Sequence, residues 1–238
     1  MTWNEGPLLG FDLETTGVDT ANDVPVQVAL VSSAPNGTSV RNVFIVDPGR
    51  EIPPGAQAIH GISTEKARHE GCPLGEAAMT MHATLTKAQL DGVPIVAMNA
   101  SFDITIATTL FRAFNLEPIE WRALIDPLVI DRKVDRYRSG NRRLDALCHV
   151  YEIELVNAHD AGGDADATVA LARAIAARYP EIASYDIDTL TRSQVEWHRA
   201  WATENDAWRR SNAKRPLSPA DFCWPLREVA IDPTPFAR

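Results

Sequence analysis

Cysteine is scarce: three residues in 238, Cys72, Cys148 and Cys223, an odd number with no CxxC spacing. That pattern points to neither a disulfide framework nor a zinc site. Long apolar runs are missing as well, and none approaches the roughly 20 residues that a bilayer-spanning helix needs. The opening residues, Met1-Thr2-Trp3-Asn4-Glu5-Gly6, have neither the basic start nor the apolar stretch of a signal peptide. The expected address is the cytoplasm. Positive charge is also short, with 23 Lys and Arg against 32 Asp and Glu, a net charge of −9. An acidic total argues against a protein that coats long duplexes without specificity.

What is present suits one domain, or one domain with an appendage, and is ample for a buried core. The 45% hydrophobic and 23% charged fractions are ordinary for a globular chain. Residues 7–47 read as three strands: Pro7 to Leu13, Val24 to Val31, and Val40 to Val46. Pro35-Asn36-Gly37 between the last two predicts an antiparallel hairpin. Leu74 to Leu90 carries apolar residues at helical spacing, and Pro94 to Met98 reads as a short buried strand. A helix then runs to about Phe114, and Arg122 to Ile130 holds a further apolar run interrupted by Asp126-Pro127. Arg143 to Tyr151 and Ala165 to Tyr179 predict two more helices. This order is that of an α/β fold with a mixed sheet.

Near Pro180 the character changes, and a boundary is placed near 183. The stretch 184–238 is then a C-terminal extension holding Trp197, Trp201, Trp208 and Trp224 and a series of prolines. The first three tryptophans share one helical face, which fits either packing onto the preceding domain or a docking surface for a partner.

Three separated segments place acids together. They are Gly10-Phe11-Asp12-Leu13-Glu14-Thr15-Thr16-Gly17, Asn99-Ala100-Ser101-Phe102-Asp103, and His159-Asp160-Ala161-Gly162-Gly163-Asp164. On a strand, Asp12 and Glu14 project from one side and apolar Phe11 and Leu13 from the other. Carboxylates so close repel one another unless a cation lies between them. Cleavage of phosphodiesters by two metals needs an oxygen-rich site of this kind, and Mg²⁺ or Mn²⁺ suits it. His159 adds a group that titrates near neutral pH and can take a proton from water. The net negative charge is compatible with holding one strand end, where bound metals supply the local positive charge.

These motifs, with Ala58-Ile59-His60-Gly61-Ile62-Ser63 and Leu144-Asp145-Ala146-Leu147-Cys148, resemble the His-bearing branch of the DEDD exonuclease superfamily over about residues 7–178. That branch includes the epsilon proofreading subunits of bacterial replicative DNA polymerases. The resemblance implies a ribonuclease H-like fold, a five-stranded mixed sheet flanked by helices. It also implies metal-dependent 3′-to-5′ exonuclease activity that releases nucleoside monophosphates from single-stranded DNA 3′ ends. An RNA 3′-end trimming enzyme, similar to ribonuclease T or oligoribonuclease, is the alternative. A non-catalytic nucleic-acid-binding scaffold is a third reading, from a different class.

Carried over by position, the resemblance gives Asp12 a place between two divalent metals, with Glu14 and Asp164 on one and Asp103 supporting the other. His159 is the implied general base. Thr15 and Thr16 are expected to meet the terminal sugar through their backbone, and His60, Ile62 and Phe102 to pack against the last bases, with Asn99 lining the site. The bland counterparts are a turn with a buried Ile62, a core Phe102, and an Asn99 that only fixes a turn. Met98 stands where the family often has His, and Gly162-Gly163 where bulkier residues are frequent. The basic run Arg132 to Arg143, with Tyr137, reads either as a phosphate-guiding rim or as a solvated loop. Epsilon subunits bind their polymerase through a C-terminal extension, and a polymerase partner here is an expectation from architecture alone.

Overall fold

The computed structural model describes residues 2–154 and 160–227. Three long strands form the frame: β1 (Leu8–Thr15), β2 (Pro25–Ser33) and β3 (Ser39–Asp47), antiparallel in succession. The β2–β3 turn is the one foreseen, with Gly37 at φ 82°, a left-handed conformation natural to glycine. Helices α1 (Pro54–His60) and α2 (Thr64–Glu70) follow, then β4 (Cys72–Pro73) and α3 (Leu74–Asp91). Next come β5 (Ile95–Val96), α4 (Ser101–Ala113), β6 (Leu124–Ile125), α5 (Pro127–Val134), α6 (Leu144–Val150) and α7 (Ala161–Arg178). The chain closes with α8 (Pro180–Ala183), the 25-residue α9 (Ile187–Ser211) and a 3-10 turn at Pro219–Phe222.

The sheet order is β4-β3-β2-β1-β5-β6, with β5 parallel to β1 and β6 parallel to β5. The sheet is mixed, as expected, and the five foreseen strands are all there. Cys72–Pro73 adds a sixth, a two-residue pairing with the end of β3 that is too short to leave a periodic signal. Helices α1 and α2 were also not foreseen, since their few turns are mostly exposed and lack an apolar stripe. Ser63 caps α2 by accepting the Lys66 amide.

Alternation on β1 divides the molecule into layers. Leu9, Phe11 and Leu13 enter one core with Ala77, Met81 and Leu85 of α3 and Ile104 and Leu110 of α4. The opposite face meets α7: Ala29 and Val31 of β2 pack with Ala161 and Ala165. Gly10 lies on that face too, in close approach to Ala165 and Val169. Asp12 and Glu14 share its side by the two-residue period, so β1 delivers both acids toward the start of α7.

The residues after α8 pack onto this body. The Gln194 side chain of α9 accepts the Asp126 amide at 2.7 Å and donates to the Leu124 carbonyl at 2.8 Å. Trp224 is 4% exposed and belongs to the main core. No helix among the described residues is long and apolar enough to cross a membrane.

Candidate metal centre

Three elements converge at the C-terminal end of β1. Asp12 and Glu14 stand near the C-terminal end of β1, where the β1–β2 register shifts between Glu14 and Thr15. Such an irregularity re-aims side chains beside a site. Asp103 lies in the first turn of α4, which follows parallel strand β5, and Asp164 in the first turn of α7. Carboxylate oxygens of Asp12, Glu14 and Asp164 lie within 4.8 Å of one another. Asp103 joins from the other side of the strand: its Oδ1 accepts the Leu13 amide at 3.1 Å, between the two β1 acids.

The electrostatics follow from this crowding. Burial first, and then the charges of Asp103, Glu14, Asp164 and Asp160, hold the Asp12 carboxyl well above the usual range. Glu14 is pushed up to about 7 by burial and by Asp164 and Asp160. Burial also raises Asp103 well above its ordinary value, against the stabilising Leu13 amide. The charges acting on Asp12 and Glu14 are thus all acidic. The set is hard and oxygen-only, and it fits one or two divalent cations of the Mg²⁺ or Mn²⁺ kind.

Helix α7 begins four residues earlier than its periodicity predicted. Asp160 is its N-cap and accepts the Gly163 amide at 3.2 Å. Gly162 and Gly163, which precede the helix predicted from Ala165, lie inside it. A Cβ on Gly162 would stand 2.9 Å from Val43 Cγ2, so the glycine lets α7 cross β3 closely. Asp166 pairs with Arg41 of β3. His159 lies outside the described residues.

The other sequence candidates are placed as follows. Thr15 and Thr16 are buried, their hydroxyls donating to the Gly17 carbonyl and to Asp23 Oδ1. His60 is half-buried against the Thr15 backbone, and burial pulls its pKa below the ordinary value. Ile62 is 4% exposed, in a small cluster with Val26, Ile52 and Ala67, which leaves little of it for a base. Phe102 is partly buried beside the main core. Asn99 takes φ 58° at the turn before α4.

The basic run is mostly engaged inside the fold. Arg138 and Arg142 both pair with the fully buried carboxylate of Asp131, which also accepts the Tyr151 hydroxyl at 3.0 Å. Arg132 stacks 3.4 Å above the Trp201 ring, and Arg136 pairs with Glu204 of α9 at 2.6 Å. Tyr137 is 88% exposed. The stretch therefore ties α5 to α6 and α9 more than it forms a free cationic rim.

Sequence reasoning missed Asp126. Its buried carboxylate caps α5 and accepts the amides of Asn99 and Ala100, at 3.0 and 2.9 Å, behind the segment that carries Asp103. The Asp126-Pro127 pair, a capping residue before a proline at the first helical position, was its available signal.

A family model described as an exonuclease (RNase_T) matches residues 9–172. Exodeoxyribonuclease I of Escherichia coli is 28% identical over 206 residues, covering 76% of this chain and 42% of that protein. A DNA polymerase III subunit epsilon-like protein of Rhodobacter capsulatus is 31% identical over 186 residues, covering 75% of this chain and 24% of its own length. A PolC-type DNA polymerase III of Caldanaerobacter subterraneus is 27% identical over 170 residues, but this chain spans only 11% of it. Among solved structures, E. coli exonuclease I in complex with a dT13 oligonucleotide superposes with a TM-score of 0.63 at 27% identity, covering 74% of this chain and 42% of that one. The chain thus spans less than half the length of each of these relatives.

Proposed function

Since the chain belongs to the exonuclease family, with residues 9–172 in the match, we propose that it removes nucleoside monophosphates from the 3′ ends of single-stranded DNA. The observation that carries this reading is the approach of Asp12, Glu14 and Asp164 oxygens to within 4.8 Å. A scaffold would have no use for three partly buried acids so close together, with the Asp12 and Glu14 carboxyls held above their usual range. Residues 1–183 form the nuclease unit in this reading, and 184–238 an extension seated on it.

Asp12, Glu14, Asp103 and Asp164 would hold two divalent ions, Mg²⁺ or Mn²⁺. Bound there, they would supply the positive charge that a reacting phosphodiester needs and lower the pKa of water. Asp103 is kept in register with β1 through the Leu13 amide. His159, one residue before the cap of α7, is the general base of this reading, taking the proton of the attacking water. The Thr15–Thr16 backbone meets the terminal sugar, while His60, Phe102 and Asn99 border the last bases.

DNA is preferred as the substrate class because the relatives named above are DNA enzymes, and one of them binds a dT13 oligonucleotide. A polymerase contact, suggested by the epsilon-like relative, would fall at the far end of α9. Trp208 is 50% exposed there, whereas Trp197 and Trp201 lie under Lys133 and Arg132. A cytoplasmic location completes the reading.

The test is digestion of matched 3′- and 5′-end-labelled DNA and RNA oligonucleotides with Mg²⁺ or Mn²⁺, beside Asp12→Ala and His159→Ala. Stepwise loss from the 3′ end, stopped by chelation and by either substitution, is expected, with DNA the faster substrate. Faster RNA trimming would replace the substrate class, and an inert wild type would sink the nuclease reading.

A further inference from the structure

We propose that the extension, which lies beyond the family match, carries a positioning residue for the metal centre: Trp224, acting through Asp126 on the turn that presents Asp103. The inference rests on the nuclease reading above and adds to it a role for residues after 172.

Helix α4 has no local side-chain cap. Ala100 holds the N-cap position and has nothing to offer the first amides. The turn before it is also unusual, since Asn99 has φ 58°. That conformation costs energy in a non-glycine residue and persists only where the surroundings enforce it. Asp126, at the end of β6, does the enforcing. Its Oδ1 accepts the Asn99 and Leu128 amides, each at 3.0 Å, and its Oδ2 the Ala100 amide at 2.9 Å.

Trp224 completes the arrangement. Its indole N–H donates to Asp126 Oδ2 at 3.0 Å, with the ring 4% exposed. Four N–H donors then fill both oxygens, which fixes the carboxylate in one orientation. Three residues further on, the Arg227 amide donates to Thr105 Oγ1 at 3.0 Å, and its guanidinium reaches Ser101 Oγ at 3.3 Å. Ser101 and Thr105 lie one turn apart on α4, on either side of Asp103 in sequence. The extension thus holds the first turn of α4 twice, by Arg227 directly and by Trp224 through Asp126. A small rotation of that turn would carry Asp103 out of line with β1. Partners standing behind ligands in this way fix the ligands' orientation and tune metal affinity.

A residue that merely fills the core would affect stability alone. Trp224→Phe keeps the ring and removes the N–H. Asp126→Asn keeps the volume but turns one accepting oxygen into a donor facing donors. Val195→Ala, at an exposed position of α9, is the control. For each full-length protein, two curves against Mn²⁺ concentration are measured: the thermal midpoint without substrate, and the hydrolysis rate of an end-labelled DNA oligonucleotide. In Trp224→Phe and Asp126→Asn, both curves should move to roughly tenfold higher Mn²⁺, with turnover recovered at saturation and the control unmoved. Unmoved Mn²⁺ dependence in whichever of the two variants folds, whatever its metal-free stability, would overturn the inference while leaving the nuclease reading intact. A wild type with neither response would overturn both.

Discussion

Gly10 of β1 lies against the backbone of α7 at Ala165: a Cβ on Gly10 would stand 2.9 Å from the Ala165 carbonyl oxygen and 3.0 Å from Val169 Cγ2. This contact sets the distance between the strand that carries Asp12 and the helix that carries Asp164. The acids meet because the residue two before Asp12 has no side chain.

Gly10→Ala should therefore act on function and stability together. The added methyl meets backbone, which cannot turn aside, so α7 must shift. A loss of about 1–3 kcal/mol is expected in denaturant unfolding. Oligonucleotide hydrolysis at subsaturating Mn²⁺ should fall further than the lost stability explains, because Asp164 moves away from Asp12. Unchanged hydrolysis in a destabilised variant would show that the contact serves packing alone.

Asp164→Asn should separate the two roles of the acid cluster. Hydrolysis should fall by about a thousandfold or more, since positioned charge supplies several kcal/mol of barrier lowering. In chelator, however, the variant should melt several degrees above wild type, on the order of 1 kcal/mol, because one member of a repelling set is gone. Added Mn²⁺ should then stabilise it less than wild type. Calorimetry with and without metal measures both effects.

The cluster also predicts a pH dependence. Glu14 has a folded-state pKa of about 7, above its unfolded value of 4.5. A carboxylate raised in this way favours the fold while protonated. Its contribution is full below pH 4.5 and is lost as pH rises through 7. Metal-free protein should accordingly lose on the order of 2 kcal/mol between pH 5 and pH 8 from this group, discounted for its partial exposure. Saturating Mg²⁺ or Mn²⁺ should flatten the profile. A melting temperature in chelator that stays level or climbs over that range would contradict the site's electrostatics.

Asp131→Asn tests the role of the basic run. The residue is fully buried and faces Arg138, Arg142 and the Tyr151 hydroxyl. Removing its charge leaves two little-exposed guanidinium groups without their shared partner, at a cost of about 3–5 kcal/mol. If these arginines serve the fold, KM for an oligonucleotide should stay within about twofold of wild type at a temperature where the variant is folded. A large rise in KM with little loss of stability would restore the phosphate-rim reading.

Much of this arrangement could be read along the chain. The two-residue alternation of Phe11, Asp12, Leu13 and Glu14 assigns each side chain to a face before any partner is known. Pro35-Asn36-Gly37 encodes its turn, and the apolar spacing from Leu74 to Leu90 encodes α3, because both depend on neighbours a few residues away. The four acids were likewise identifiable by their short motifs, each a strand end or a helix start. Other features had no local signature. Glycines 162 and 163 fall outside the helix that the periodicity predicts from Ala165; only the crossing of α7 over Val43 shows why a helix needs a glycine at 162. The arginines of 132–142 read as either a phosphate-guiding rim or a solvated loop, yet their partners Asp131, Trp201 and Glu204 tie them to the fold.

The chain's local pattern already assigns which residues share a strand face, where the hairpin turns, and that four acids occupy the ends of elements. These properties follow from backbone periodicity and turn chemistry, which act over a few residues. The assembled fold alone shows that Gly10 admits α7, that Asp126 supports the Asn99 turn, and that Trp224 reaches back to close Asp126. Such contacts join positions 27 to 155 residues apart in the chain, and their hydrogen-bond geometry and close packing exist only once the layers have been brought together.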